Sequence, residues 1–266
     1  MNQEPTIEPD EAATLLRKEN ARYVRRISQL EATLQQVEQI RDTNARLLKR
    51  IMADLEIEQA RSHDLLLNVL PQSIIDRLNA GEELIADRYD DVAVVFSDFV
   101  GFTEISGRLP VATLVTSLNA LFSAFDAASA ALGVEKIKTI GDGYMAAAGL
   151  HGTNGDHVRA AAELTLAMRA VVQDAGEPWE VRIGLHAGPV GAGVIGTSKF
   201  VYDLWGDAVN VASRLETTAP PGRIQVSEAV ATALGDAFEL ESRGEVELKG
   251  KGPTKTFFLI GRHDRP

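Results

Sequence analysis

Hydrophobic positions divide the chain into two regimes. From residue 11 to about residue 68 there is no glycine or proline, and apolar side chains return at spacings of three and four. In one heptad frame the a and d positions read Leu16, Asn20, Tyr23, Ile27, Leu30, Leu34, Val37, Arg41, Asn44, Leu48, Ile51, Leu55, Glu58, Ser62, Leu65 and Val69, with Glu, Gln, Arg and Lys on the flanks. A narrow apolar seam beside a charged face predicts a long helix that pairs in parallel as a two-stranded coiled coil, its polar a and d positions fixing register at some loss of stability. The competing arrangement is a single long helix laid along its own globular domain. Asn68-Val69-Leu70-Pro71 stops or kinks the rod, because proline blocks continuation of a helix. A short amphipathic helix over 72–79 then presents Ile74, Ile75 and Leu78 on one face before Ala80-Gly81 closes it. These breaks predict a coiled coil over 1–70, a linker helix over 71–86 and a globular domain over 87–266.

Beyond the linker the period changes. Asp91-Val92-Ala93-Val94-Val95-Phe96-Ser97-Asp98-Phe99 reads as a buried strand with an aspartate near its end, and the sequence becomes helical over about 109–132. Glu135-Lys136-Ile137-Lys138-Thr139-Ile140 and Tyr144-Met145-Ala146-Ala147-Ala148 read as two strands joined at Gly141-Asp142-Gly143. A helix over about 156–173 precedes a strand over 180–186, and Gly188, Gly191, Gly193 and Gly196 punctuate a further hairpin. Val201-Tyr202-Asp203-Leu204 leads to a helix containing Asn210 and Arg214, Ile224-Gln225-Val226-Ser227 starts another strand–helix step, and strands follow over 238–246 and 256–260. The mixture predicts an α+β domain with a central mixed sheet and helices on its faces.

Composition narrows the chemistry. In 266 residues, apolar types make up 45%, enough for a sizeable core. A formal net charge of −11 argues against a general nucleic-acid binder, which needs a basic face, although a nucleotide needs only a few local cations. The absence of cysteine rules out disulfides, zinc–thiolate sites and thiol catalysis. With no run of about 18 apolar residues, and no basic start followed by an apolar core, the expectation is a soluble, cytoplasmic chain without a membrane segment.

Two carboxylates then stand out. Asp98 ends the first strand of the domain and Asp142 tips the following hairpin, so pairing of these strands would bring the two together. With no basic residue adjacent in sequence they would repel unless a cation intervened, and hard oxygen ligands of this kind suit Mg²⁺ or Mn²⁺ shared with substrate phosphates. The plainer alternative is a pair of solvated loop aspartates.

Phe96-Ser97-Asp98-Phe99-Val100-Gly101-Phe102-Thr103, Lys138-Thr139-Ile140-Gly141-Asp142-Gly143-Tyr144-Met145 and Tyr202-Asp203-Leu204-Trp205-Gly206-Asp207-Ala208-Val209-Asn210-Val211-Ala212-Ser213-Arg214 together resemble the class III nucleotidyl cyclase catalytic domain, over roughly 87–260. The rod and linker resemble the signalling helix and transducer segment that often precede it, behind an upstream sensor. The resemblance implies a ferredoxin-like fold working as a head-to-tail homodimer. Asp98 and Asp142 of one chain would hold two divalent ions, Mg²⁺ or Mn²⁺, while the opposite chain would supply Lys138, Asp203, Asn210, Arg214 and Lys249. Lys138 can only donate and an ionised Asp203 can only accept, which complements the N1 acceptor and 6-amino donor of adenine and mispairs with guanine. The expected substrate is therefore ATP and the product cyclic AMP. Arg214 lies four residues after Asn210, on one helix face, where it would bind the α-phosphate while Asn210 orients the ribose. Lys249 would hold the β- and γ-phosphates, with Lys251 close by as an alternative.

In one departure from the resemblance, Ser198 stands about where some members carry arginine, with Lys199 beside it. A catalytically silent nucleotide-binding module is the alternative from another class, and a guanylyl cyclase is disfavoured by Lys138 and Asp203. Gly191-Ala192-Gly193-Val194-Ile195-Gly196 spells the dinucleotide fingerprint, but another strand rather than a helix follows it, so a nicotinamide site is rejected. His186 reads as a core or strand-end histidine and His63 as part of the rod, and neither is taken as a site residue.

Overall fold

Without a glycine or proline to break it, the N-terminal stretch forms one helix, α1 (Pro9–Leu67). The computed structural model describes residues 9–67, 69–150, 156–176, 178–196 and 199–263. By its contacts the chain divides into Met1–Val69 and Leu70–Pro266. In the first unit the a and d positions are exposed: Ile51, the least exposed large apolar residue among those positions, is still 53% exposed.

In the second unit, α2 (Gln72–Asn79) occupies the expected linker and buries Ile74 and Ile75. There follow β1 (Ala86–Phe99), α3 (Phe102–Arg108), α4 (Val111–Ala131), β2 (Glu135–Ile140), β3 (Gly143–Ala148), α5 (His157–Ala175), β4 (Val181–Ile195), β5 (Val201–Trp205), α6 (Asp207–Thr218), β6 (Ile224–Ser227), α7 (Glu228–Leu234), β7 (Phe238–Leu248) and β8 (Gly252–Arg262). The strands form one sheet ordered β2-β3-β1-β4-β6-β8-β7, with β5 paired to β4. The β4–β6 pairing is parallel and the others are antiparallel, so the sheet is mixed as expected.

Burial of β1 on both faces explains its unbroken apolar run. Ala93 and Val95 point into one apolar layer with α4, α5 and α7, where Phe99, Phe122, Phe125, Tyr144 and Trp179 form linked aromatic pairs. Val92 and Val94 point into the other, with Ile74 and Ile75 of α2, Tyr202 and Leu204 of β5, and Ala208 and Ala212 of α6. The helix α4 is long and apolar enough to cross a membrane by length and composition, but it buries Leu121, Phe125 and Ser129 in this fold.

Two expectations need correction. The strand read over 91–99 begins at Ala86, and the stretch read as a strand to His186 followed by a glycine hairpin is a single strand, β4, that continues to Ile195. Two of its glycines mark close approaches to neighbouring backbone. A Cβ on Gly193 would stand 2.5 Å from the carbonyl oxygen of Ile85, and one on Gly184 would stand 2.2 Å from the backbone nitrogen of Glu216. Pro189 falls where the β1–β4 register shifts, between Gly188 and Val190, so its missing N–H breaks no regular ladder. A short helix, α3, also precedes the helical stretch read from the sequence.

The contact at Gly184 makes a direct prediction. Gly184→Ala should force α6 away from β4 and destabilise the fold by about 3 kcal/mol, the upper end for overpacking a tight core. A urea midpoint shift of under about 0.5 kcal/mol, the size of an ordinary surface change, would contradict this packing.

Candidate active site

Three groups of predicted residues come together, each through a different local cause. At the first, the β1–β3 register pairs Ser97 with Tyr144 and so lays Asp98 beside the hairpin tip that carries Asp142. Gly141 takes a left-handed φ of 64° that lets the tip turn sharply. The tip is anchored by Tyr144, whose hydroxyl donates to Asp126 Oδ1 on α4 at 2.8 Å. The Asp142 carboxyl is raised above the usual range, first by burial and then by the negative charge of Asp98, while backbone hydrogen bonds at Asp142 and Phe99 oppose the rise. Two carboxylates forced together in this way form a site deficient in positive charge.

The second group depends on a β-bulge. In β2, Lys136 pairs with Ala146 but Lys138 pairs with Met145, so regular alternation fails at Ile137. Unbroken alternation would place both lysines on one face. Instead Lys136 reaches Asp126 on α4 at 2.8 Å, and Lys138 reaches Asp203 of β5 on the opposite face in a short ion pair. The other oxygen of Asp203 accepts the backbone N–H of Leu204 at 2.8 Å, which fixes the carboxylate's orientation.

The third group lies on α6 and the β7–β8 turn. Gly206 alone separates β5 from α6. Asn210 is exposed and donates to the carbonyl of Gly206 at 3.2 Å. Val211 and Leu215 pack on Leu248, which holds the turn against the helix. The Arg214 guanidinium consequently lies 3.9 Å from where a Cβ on Gly250 would stand, next to Lys249. Among the described residues neither Arg214 nor Lys249 pairs with a carboxylate, whereas Lys251 is engaged by Asp207. Of the two lysines, Lys249 is the one left to meet an anion. Thr197 and Ser198 lie outside the described residues, and Lys199 is exposed.

These groups do not all meet within one chain. Asp98 pairs with Arg182 near the start of β4, and Asp203 pairs with Gly193 near its end. The direction of α6 separates them further. Ala212 and Glu216 lie against Gly184 of β4, and Asn210 and Arg214, each two residues earlier, are turned about 200° away from those contacts at 100° per residue.

Sequence reading passed over two residues here. Arg182 Nη2 donates to Asp98 Oδ2 at 2.7 Å, and Arg182 Nε lies 3.1 Å from Glu216 Oε1, within ion-pair range but not aligned as a hydrogen bond. Burial pushes the Glu216 carboxyl up to about 7, with Arg182 opposing the rise. The available signal was an arginine inside the apolar strand Val181-Arg182-Ile183-Gly184-Leu185, which needs a carboxylate partner if it is to be buried. His186, by contrast, is accounted for within the sheet: its Nδ1 lies 2.8 Å from Ser227 Oγ, and burial lowers its pKa.

The donor set at Asp98 and Asp142 fits a hard divalent cation. Among the described residues there is no cluster of three or more His, Cys, Asp or Glu. One or two carboxylates completed by substrate phosphate oxygens and water is the usual arrangement for Mg²⁺.

Comparison with known proteins agrees with this architecture. The chain is 47% identical over 218 residues to adenylate cyclases of Mycobacterium bovis and Mycobacterium tuberculosis, a match covering 80% of this chain and 49% of the relative. The chain thus spans about half the length of these curated relatives. It is 40% identical over 245 residues to retinal guanylyl cyclase 2 of Bos taurus, covering 88% of this chain and 22% of the relative. The crystal structure of the guanylate cyclase domain of RhGC from Catenaria anguillulae, in complex with GTP, superposes with a TM-score of 0.64 at 35% identity, covering 66% of this chain and all of that one. The family described as the adenylate and guanylate cyclase catalytic domain matches residues 84–261, the span that holds the carboxylate pair, the Lys138–Asp203 pair and α6, and the chain belongs to that family.

Proposed function

We propose that the chain is an adenylate cyclase, converting ATP to 3′,5′-cyclic AMP and pyrophosphate at sites shared between two copies of itself. The observation that carries this reading is the direction of α6. Asn210 and Arg214 face away from β4, the strand whose start pairs with the Asp98 end of β1 in their own chain, so we read a complete site as taking these groups from a second chain. A head-to-tail pair would place Asp98 and Asp142 of one chain against Lys138, Asp203, Asn210, Arg214 and Lys249 of the other, giving two equivalent sites.

Each side chain then has a task set by its chemistry. The Lys138 ammonium donates to adenine N1 and the Asp203 carboxylate accepts from the 6-amino group. Asn210 orients the ribose so that its 3′-oxygen faces the α-phosphorus. As the bond from the 3′-oxygen to phosphorus forms and the bond to the β-phosphate bridge breaks, the 3′ proton passes to water and pyrophosphate departs. Arg214 stabilises the charge that builds on the α-phosphate, and Lys249 the charge on the leaving group. Asp98 and Asp142 would hold two divalent ions, Mg²⁺ or Mn²⁺, which when bound lower the pKa of the 3′-hydroxyl and neutralise phosphate charge.

Mixing chains tests the shared site. Asp142→Ala and Arg214→Ala should each be inactive alone. Their mixture should recover about a quarter of the wild-type rate, because half of randomly assorted dimers are mixed and each holds one intact site. A mixture as inactive as its components would overturn the shared site.

The exposed seam of α1 supports a parallel coiled coil that holds two copies together and passes on a signal from an upstream sensor. Deleting residues 1–69 should leave an enzyme whose specific activity rises with protein concentration over a range where the intact chain is flat. Identical concentration profiles would sink this role for α1.

A further inference from the structure

We infer that a cleft between α5 and the start of β4 is a binding site for a small organic acid with a flat apolar body, and that its occupancy stiffens the end of β1 that carries Asp98. Arg169, Val172 and Gln173 of α5, Trp179 and Val181, and Gly222 before β6 line a space of about 520 Å³, within the range of small-molecule sites. Val172 and Val181 are buried and Trp179 packs against the same core, which gives the cleft an apolar wall. Arg169 supplies the charge. Its Nη1 and Nη2 donate to the carbonyls of Leu259 and Ile260 at 3.3 and 2.6 Å, and among the described residues it pairs with no carboxylate. A guanidinium carries five N–H donors, so these two bonds leave donors for an anion. Burial and the like charge of Arg223 both lower the Arg169 pKa, with no negative charge opposing them. Arg223 itself is held by Glu241 at 2.5 Å. A half-buried cation in that state is stabilised by an anion. Glu180 also lines the cleft, 3.4 Å from where a Cβ on Gly222 would stand, so the acid group is directed to Arg169 and away from Gly222.

The cleft backs onto the carboxylate end of the sheet. Phe99 pairs with Val181 across β1 and β4, and the Trp179 ring meets the Phe99 ring at 5.2 Å and 65°. The carbonyl of Glu180 accepts the N–H of Val100 at 2.8 Å, and that of Val181 accepts the N–H of Gly222 at 3.0 Å. Phe99 and Asp98 face opposite sides of the sheet by alternation. A ligand against Trp179 therefore lies behind the carboxylate and acts on it through the shared backbone. By holding Trp179 and Val181 it restrains both partners of the end of β1, and a ligand that binds only the closed form suppresses local opening. Neither the cleft nor this coupling requires the two-chain site.

The probe is 1-naphthoate, with 1-naphthamide as its neutral counterpart. Calorimetric titration of the full chain should give one saturable site per chain, with a Kd of about 1 mM or below for a ligand of this size. The amide should bind at least about tenfold more weakly, the loss of one charge-assisted hydrogen bond. Two positions locate the site. Arg169→Gln should weaken naphthoate binding by about tenfold for the same reason, and Arg169→Lys, which keeps the charge, should recover most of it. Gln173→Trp fills the cleft from an exposed position and should abolish binding, which keeps the test decisive if Arg169→Gln impairs folding. Hydrogen exchange over residues 98–102, followed by mass spectrometry, should slow by about tenfold at roughly ten times the Kd. In Gln173→Trp the same addition should change nothing. Equal affinity for the amide, or naphthoate binding indifferent to Arg169→Gln or Gln173→Trp, would overturn the acid site and leave a non-specific apolar patch. Binding that leaves exchange at 98–102 unchanged would overturn the coupling. No binding up to about 10 mM, well above the expected Kd, would overturn both. Neither readout uses cyclic nucleotide formation, so the outcome is independent of the fate of the cyclase reading.

Discussion

Asp142→Asn should lower cyclic AMP formation by on the order of 10³-fold, the scale of losing preorganised charge stabilisation in a phosphoryl reaction. Stability should not follow activity. The Asp142 carboxyl is raised by burial and by the charge of Asp98, so a neutral amide removes a repulsion that the fold now tolerates. Thermal melting without metal should therefore give an unchanged or higher Tm for the variant. A variant that melts well below the native chain would assign Asp142 to the fold, and a variant that keeps more than about a tenth of the native rate would remove it from the chemistry.

The second large effect concerns the base. Lys138 and Asp203 are already paired with each other, and the backbone N–H of Leu204 orients the carboxylate. Guanine reverses the donor and acceptor at the two positions they would meet, leaving both side chains mispaired. A site built to hydrogen-bond its substrate rejects a mispairing analogue by roughly 10⁴-fold. Lys138→Glu combined with Asp203→Ser supplies an acceptor for guanine N1–H and a hydroxyl donor for O6. The double variant should lose most activity with ATP and gain activity with GTP, measured as the ratio of kcat/KM values. Either single change breaks the pair and leaves one group unmatched, so each alone should lose ATP turnover without gaining GTP turnover. Retained ATP preference in the double variant would show that these two residues do not read the base.

How far the sequence revealed this arrangement depended on whether a feature was local. The rod, the linker helix and the hairpin tip follow from proline, glycine and apolar spacing, and each falls close to its expected place. The meeting of Asp98 with Asp142 was legible because one strand and the next hairpin pair as neighbours. The opposite facing of Lys136 and Lys138 was not legible, because the bulge at Ile137 is a property of pairing with β3 and leaves no mark in the spacing. The true extent of β4 was obscured for a similar reason. Gly193 permits close approach of the Ile85 backbone, and glycine in sequence does not distinguish a turn from a crowded strand. Arg182 and Glu216 are 34 residues apart in number and meet only when α6 lies down on Gly184. Their signal was an ionisable residue on each of two buried surfaces, which becomes informative only when the surfaces are known to face each other.

The most direct test is the initial rate of cyclic nucleotide formation from ATP and from GTP, measured side by side on the intact chain with Mg²⁺ and then with Mn²⁺. The Lys138–Asp203 pair and the carboxylate site predict cyclic AMP from ATP with either ion and little cyclic GMP from GTP. Equal or greater turnover of GTP would contradict the assignment of the base-reading pair, and no cyclic product from either nucleotide with either ion would contradict the cyclase itself.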